Sequence, residues 1–295
     1  MKTFAAIDIG GTAIKYGIVD ETGAVLYNGE TATEAHCGSA NLYTKVQDIL
    51  QHILLKNYKV SGIGISTAGV VDSKNGTIVY ANDNIPGYTG TKWKEPLEKA
   101  FSVPVLVNND VNCAALAEAW VGAVKGVDDF FCITVGTGVG GAAFINGRLY
   151  TGAHYSAAEI GNIITYGSNE RFEKSASTLA LVRMAEQKTG ETELDGKVVF
   201  QKARDNDEVY TMLLAEWVEH LACGIANAII LFDPAVIVIG GGISREGDYL
   251  ITKIKKGLAK FLPDQAFLDH VEIKPAYCGN TAGMIGAVYG FVLNR

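Results

Sequence analysis

The chain opens on an apolar run, Phe4 to Ile9, interrupted only at Asp8, and two more short runs follow at Ile14 to Val19 and Val25 to Tyr27. Gly10-Gly11 and Glu21-Thr22-Gly23 separate them, so the segment predicts a strand meander. Leu42, Val46, Ile49, Leu50 and Ile53 then recur at helical spacing, and Gly62 to Ser66 reads as a buried strand. A helix over Trp93 to Phe101 leads through Pro104 into a strand at Val105 to Val107, and Val111 to Val121 is helical again. The first part therefore mixes a meander with βαβ.

The opening pattern returns 126 residues later, where Phe130-Phe-Cys-Ile-Thr-Val-Gly136 matches Phe4-Ala-Ala-Ile-Asp-Ile-Gly10. A second strand, Ala142 to Ile145, and an Asn146-Gly147 turn complete the match, which predicts two domains on one plan. Helices are predicted near Ser175 to Lys188, Glu208 to Phe232 and Tyr249 to Phe261, with a buried strand at Val236 to Ile239. A last helix starts at Thr281 with Asn280 as its N-cap. The expected division is an N-terminal α/β domain over 1–108, on which the helix of 279–295 packs back, and a C-terminal α/β domain over 109–278.

Composition changes this picture by exclusion. At 295 residues, 48% hydrophobic and 19% charged, the chain has ample core, and disorder is excluded. The net charge of −7 and the lack of a basic block speak against nucleic acid and an anionic membrane as partners. Cys37, Cys113, Cys132, Cys223 and Cys278 form no C-x-x-C pair, and they read as reduced thiols of a cytoplasmic protein. Asp8 breaks the first apolar stretch too early for a signal peptide, and Asn227, Asp233 and Pro234 interrupt the most apolar region, so neither export nor membrane spanning is expected.

Three glycine turns follow apolar strands: Asp8-Ile9-Gly10-Gly11-Thr12, Thr134 to Gly141, and Ile239-Gly240-Gly241-Gly242-Ile243-Ser244. Each one alone serves equally well as a tight turn. Glycine also lets backbone N–H groups approach an anion, and Thr or Ser adds a hydroxyl, so three such turns at strand ends favour a nucleotide. Gly136, Gly138 and Gly141 satisfy G-x-G-x-x-G, with Glu159 eighteen residues on, but hairpin chemistry follows them where a dinucleotide fold requires a helix. No P-loop signature is present. Asn108-Asn109-Asp110-Val111-Asn112 lies between a strand and a helix, so Asp110 is either an N-cap or a carboxylate able to take a proton from an attacking hydroxyl.

In this order and spacing the motifs resemble, nearly end to end, the ROK family of bacterial sugar kinases, within the actin, Hsp70 and hexokinase-like ATPase fold. The resemblance implies a two-domain α/β protein of ribonuclease H-like, mixed sheets, with its active site in the interdomain cleft. It implies ATP and Mg²⁺ as cofactors, a 6-hydroxyl as acceptor and a homodimer. It makes Asp110 the general base and assigns Gly69, Asn84, Asn109, Glu159 and Glu173 to the sugar. Gly10, Gly11, Thr12, Lys15, Thr137, Gly138, Gly241 and Gly242 fall to the nucleotide, and Asp8 to the magnesium shell through water. The family's Glu-x-Gly-His and cysteine-rich zinc loop appear here as Glu159-Ile-Gly161-Asn162 followed by a loop without cysteine, so no zinc is expected. Without the resemblance, Glu170 and Glu173 read as solvated carboxylates and His154 as structural.

Zinc-free members include N-acetylmannosamine kinases and β-glucoside kinases. Ile65 to Asp72 and Ile85 to Thr91 look more similar to the former, which makes N-acetylmannosamine the first expected substrate. Cellobiose or another β-glucoside, glucose and fructose are the alternatives. A sugar-responsive repressor is a competing function, disfavoured because only two residues precede the first strand and the charge is negative. A non-catalytic sugar-binding or actin-like protein is another, disfavoured by the carboxylate at Asp110.

Overall fold

The computed structural model describes residues 1–56, 58–165 and 169–293. In chain order the elements are β1 (Thr3–Ile9), β2 (Ala13–Asp20), β3 (Val25–Ala32), α1 (Gly38–Leu54), β4 (Val60–Thr67), β5 (Val70–Asp72), β6 (Thr77–Tyr80), α2 (Lys94–Phe101), β7 (Val105–Asn109) and α3 (Asp110–Val121). There follow β8 (Phe130–Val135), β9 (Val139–Ile145), β10 (Arg148–Tyr150), α4 (Glu173–Ala176), α5 (Thr178–Thr189), α6 (Gly196–Arg204) and α7 (Glu208–Phe232). The chain closes with β11 (Val236–Gly240), α8 (Gly247–Leu258), α9 (Gln265–Asp269), β12 (Glu272–Pro275) and α10 (Ala282–Leu293).

The chain divides into two compact units. One comprises Met1–Gly126, Thr151–Ala157 and Asn280–Arg295; the other comprises Val127–Tyr150 and Ala158–Gly279. Helix α3, which the sequence reading places beyond the boundary at 108, belongs with the first unit because it packs along α10, whose Gly286 lies against the Cys113 backbone.

In the first unit the sheet runs β3-β2-β1-β4-β7, with β1 antiparallel to β2 and parallel to β4. The two-residue alternation of β1 decides what each face meets. Ala5, Ile7 and Ile9 enter one core with the predicted α1 residues Leu42, Val46, Leu50 and Ile53. Phe4 and Ala6 point to the other face, where they join Met284 and Val288 of α10. Phe4 stacks on Phe291 with ring centroids 5.1 Å apart. Burying Met284 and Val288 in this way contributes about 1.5–3 kcal/mol each, which fastens the last helix to the first strand. Asp8 follows Phe4 and Ala6 on the α10 face.

The second unit repeats the plan, with its sheet running β10-β9-β8-β11-β12 and the same sense at each pairing. The expected duplication is therefore present strand for strand. Gly138 and Gly141 lead into and lie on β9 rather than a helix, and Asn146 and Gly147 take φ of 51° and 72°, both positive as a type I′ turn requires. Helix α7, 25 residues long, is apolar enough by length and composition to cross a membrane. In the structure Leu214, Trp217, Leu221 and Ile225 bury it in the core of this unit.

Two elements differ from expectation for local reasons. The helix predicted over Ser175 to Lys188 breaks into α4 and α5, because Ser177 leaves the helical region at ψ 162° and its side chain caps α5 by accepting from the Ala180 N–H at 3.2 Å. Asn280, predicted as a cap, lies inside a 3₁₀ turn, Gly279–Thr281, that precedes α10. Helix α6 and strand β12, each short, were not anticipated.

Candidate active site

In the first unit the turn between β1 and β2 is tied from outside. The Gly10 N–H donates to the Ala13 carbonyl at 3.0 Å, the Thr33 hydroxyl to the Gly10 carbonyl at 2.6 Å, and the Thr33 N–H to the Thr12 carbonyl at 2.9 Å. Gly11 and Thr12 are exposed, and open space surrounds the position a Cβ on Gly11 would take. Asp8, two residues before Gly10, pairs in register with Lys15 on β2 and Ser66 on β4. Ser66 Oγ donates to Asp8 Oδ1 at 2.6 Å, and Lys15 Nζ stands 4.0 Å from Oδ2. Burial raises the Asp8 pKa, against the Ser66 hydrogen bond and the Lys15 charge, which favour the carboxylate.

The end of β7 answers the question left open about Asp110. Asn109, not Asp110, caps α3: its Oδ1 accepts from the N–H groups of Val111 at 2.9 Å and Asn112 at 3.0 Å. Asn109 Nδ2 donates to the Gly69 carbonyl at 3.0 Å and to Asp110 Oδ1 at 2.9 Å. Asp110 is thus the first helical residue, where the helix dipole favours its negative charge, and Asn109 turns it into place. Gly69 has φ of 99°, and a Cβ there would stand 2.8 Å from the Tyr80 carbonyl, so the turn that presents its carbonyl to Asn109 needs glycine. Replacing the cap as Asn109→Ala is expected to cost about 0.5–2 kcal/mol, read as a lowered denaturation midpoint.

A network that the sequence reading missed lies beside Asp110. The buried Tyr88 hydroxyl is hydrogen-bonded to Thr67 Oγ1 and accepts from Trp93 Nε1 at 3.3 Å. Burial pushes the Tyr88 phenol up to about 12, the Asp110 charge acting in the same direction. The available signal was Tyr88 and Trp93, close together between β6 and α2, residues whose polar ends need partners when buried. Asn84 stands exposed on the same loop, its N–H donating to Asn82 Oδ1 at 3.3 Å.

In the second unit the β8–β9 turn closes through the Gly136 N–H donating to the Gly138 carbonyl at 3.0 Å. Glu173 Oε2 lies 2.9 Å from the position a Cβ on Gly138 would take. Glu159 Oε2 accepts from Asn162 Nδ2 at 3.2 Å, so the residue in the family's histidine position holds the neighbouring carboxylate. Burial raises the Glu159 pKa, opposed by that hydrogen bond and reinforced by the Glu173 charge. The structure therefore gathers Gly138, Glu159, Asn162 and Glu173, although the residue pattern without the resemblance makes Glu173 a solvated carboxylate. Thr137 lies within the β8–β9 turn, Gly241 and Gly242 follow β11, and Ser244 Oγ donates to the Gly241 carbonyl at 2.9 Å. His154 is exposed.

Residues 166–168 of the loop in the zinc position lie outside the described residues. Among the described residues no three His, Cys, Asp or Glu side chains converge to hold a metal. The donor offered at Asp8 is a single hard carboxylate beside an open turn. That set fits Mg²⁺, which binds through one or two carboxylates together with substrate phosphates and retained waters.

The family model described as the ROK family matches residues 4–292. The β-glucoside kinase of Listeria innocua serovar 6a is 35% identical over 300 residues, covering 98% of this chain and 97% of that protein. A ROK family glucokinase from Streptomyces griseus, solved in complex with glucose and AMPPNP, superposes with a TM-score of 0.87 at 31% identity, covering 99% of this chain and 100% of that one. Lmo2764 of Listeria monocytogenes, described as "a putative N-acetylmannosamine kinase", does so with a TM-score of 0.87 at 32% identity and 99% coverage of both chains. Two units on the duplicated plan of the actin and hexokinase-like ATPase fold, matched from end to end, show that the chain belongs to the ROK family and is one of its ATP-dependent carbohydrate kinases.

Proposed function

We propose that this kinase transfers the γ-phosphoryl group of ATP to the 6-hydroxyl of a hexose or N-acylhexosamine. The observation that carries the reading is that Asn109 takes the capping role and orients Asp110. Asp110 accepts the proton of the 6-hydroxyl as that oxygen forms its bond to the γ-phosphorus, while the bond to the β–γ bridging oxygen breaks and ADP departs. Asn109, Gly69, Asn84, Glu159 and Glu173 are the sugar's partners. Gly10, Gly11, Thr12, Lys15, Thr137, Gly138, Gly241 and Gly242 take the nucleotide. Asp8 would hold the water shell of a bound Mg²⁺, whose charge neutralises phosphate oxygens.

N-acetylmannosamine is the sugar this reading puts first, on the stretches 65–72 and 85–91 and on the likeness to Lmo2764. A β-glucoside is the second reading, favoured by the relative of that name. The reading extends to a homodimer and to the cytoplasm, the latter in keeping with five cysteines that form no disulfide. The test is an ADP-release assay over N-acetylmannosamine, cellobiose, glucose and fructose. N-acetylmannosamine is expected to give the highest kcat/KM and a 6-phosphate product. Cellobiose in first place would transfer the assignment to β-glucosides, and turnover with no sugar, together with tight salt-sensitive operator binding, would identify a regulator.

A further inference from the structure

We propose that Ser66 and Gly283 are positioning residues for the Asp8 carboxylate, setting the orientation in which it meets a nucleotide-bound divalent cation. The inference rests on the kinase reading for the role of Asp8 and on geometry for the rest. The alternation of β1 sends Asp8 to the face covered by α10. There it meets Gly283 in the first turn of that helix: a Cβ on Gly283 would stand 2.4 Å from Asp8 Cγ, 2.4 Å from Oδ1 and 2.6 Å from Oδ2. All three carboxyl atoms thus lie against one glycine, and Asp is too short to swing clear as a long side chain could. Any other residue at 283 must push the carboxylate or the helix away.

Ser66 supplies the second constraint. It is fully buried on β4, in register with Asp8, and donates to Oδ1 at 2.6 Å. Oδ1 is thereby engaged, and Oδ2, 4.0 Å from Lys15 Nζ, is the oxygen left to accept hydrogen bonds from a hydrated cation. Groups that orient a metal-side ligand in this manner change metal affinity by about 10–100-fold when removed.

The experiment uses the full chain with Mn²⁺ and AMP-PNP as probes. Binding of the preformed Mn²⁺–AMP-PNP complex to the protein is read by isothermal titration calorimetry, and N-acetylmannosamine, cellobiose and glucose binding without nucleotide from tryptophan fluorescence. Ser66→Ala, which leaves the packing space intact, is expected to weaken Mn²⁺–AMP-PNP binding about tenfold. Gly283→Ala is expected to weaken it further, and Ser66→Thr, which keeps the hydroxyl, to lie nearer the parent than Ser66→Ala. Affinity for any sugar the parent binds should change less than about twofold, a split that general loss of structure does not produce. Should Gly283→Ala fail to fold, the two Ser66 variants decide. Parental Mn²⁺–AMP-PNP binding by Ser66→Ala overturns the proposal, and if the parent still phosphorylates a sugar the kinase reading survives it. Ser66-dependent binding by a parent that phosphorylates no sugar removes the kinase reading and leaves the positioning role standing. A parent that binds no Mn²⁺–AMP-PNP overturns the proposal.

Discussion

Asp110→Ala is expected to lower kcat by about 10²–10⁴-fold, the contribution of a well-placed general base, while leaving ATP affinity close to the parent's. The structure makes this prediction sharper than the sequence could. Had Asp110 been the N-cap, its removal would have unravelled the start of α3, and lost turnover would have been ambiguous. Asn109 provides the cap, so Asp110→Ala forfeits a favourable charge at the helix start, about 0.3–1 kcal/mol, and the hydrogen bonds that Oδ1 accepts from Asn109 Nδ2 and the Val111 N–H, while the N–H groups of Val111 and Asn112 keep Asn109 Oδ1 as their acceptor and the helix start is retained. Asn109→Ala supplies the contrast, because it loses the cap and the link to Gly69 together. Equal loss of stability in the two variants, or turnover of Asp110→Ala within about threefold of the parent, removes Asp110 from the role of base.

ADP release in the absence of sugar is expected to be at least about a hundredfold slower than in its presence. Water is smaller than any sugar and far more abundant, so a kinase whose groups were permanently assembled would hydrolyse ATP. A site completed only by the sugar's own binding energy avoids this. The measurement is a coupled assay with and without saturating sugar at fixed Mg²⁺ and ATP. Equal rates would show that no sugar-driven step assembles the catalytic groups.

Much of the fold was legible because the strands that carry it are strongly patterned. The repeat of Phe4–Gly10 at Phe130–Gly136 predicted two units on one plan, and both sheets show the same strand order. The hairpin after Gly138 was legible because Asn146-Gly147 is a turn signal that overrides a glycine motif read in isolation. Short elements such as β12 were not legible, since four residues carry too little periodicity to stand out. The break at Ser177 was missed because the apolar spacing runs across it, whereas the cap that divides α4 from α5 depends on one side-chain hydrogen bond.

The sequence by itself determined the duplicated architecture and the glycine turns at the strand ends, because these depend on local pattern and chemical type, and it supplied the residues proposed to hold phosphate and to take a proton. Only the tertiary structure decided which of two adjacent residues caps α3, that Asn162 holds Glu159 beside Glu173, and that Ser66 and Gly283 enclose Asp8. The physical reason is distance along the chain. Asp8 and Gly283 lie at opposite ends of it, and no periodicity encodes a contact that exists only once β1, β4 and α10 have packed.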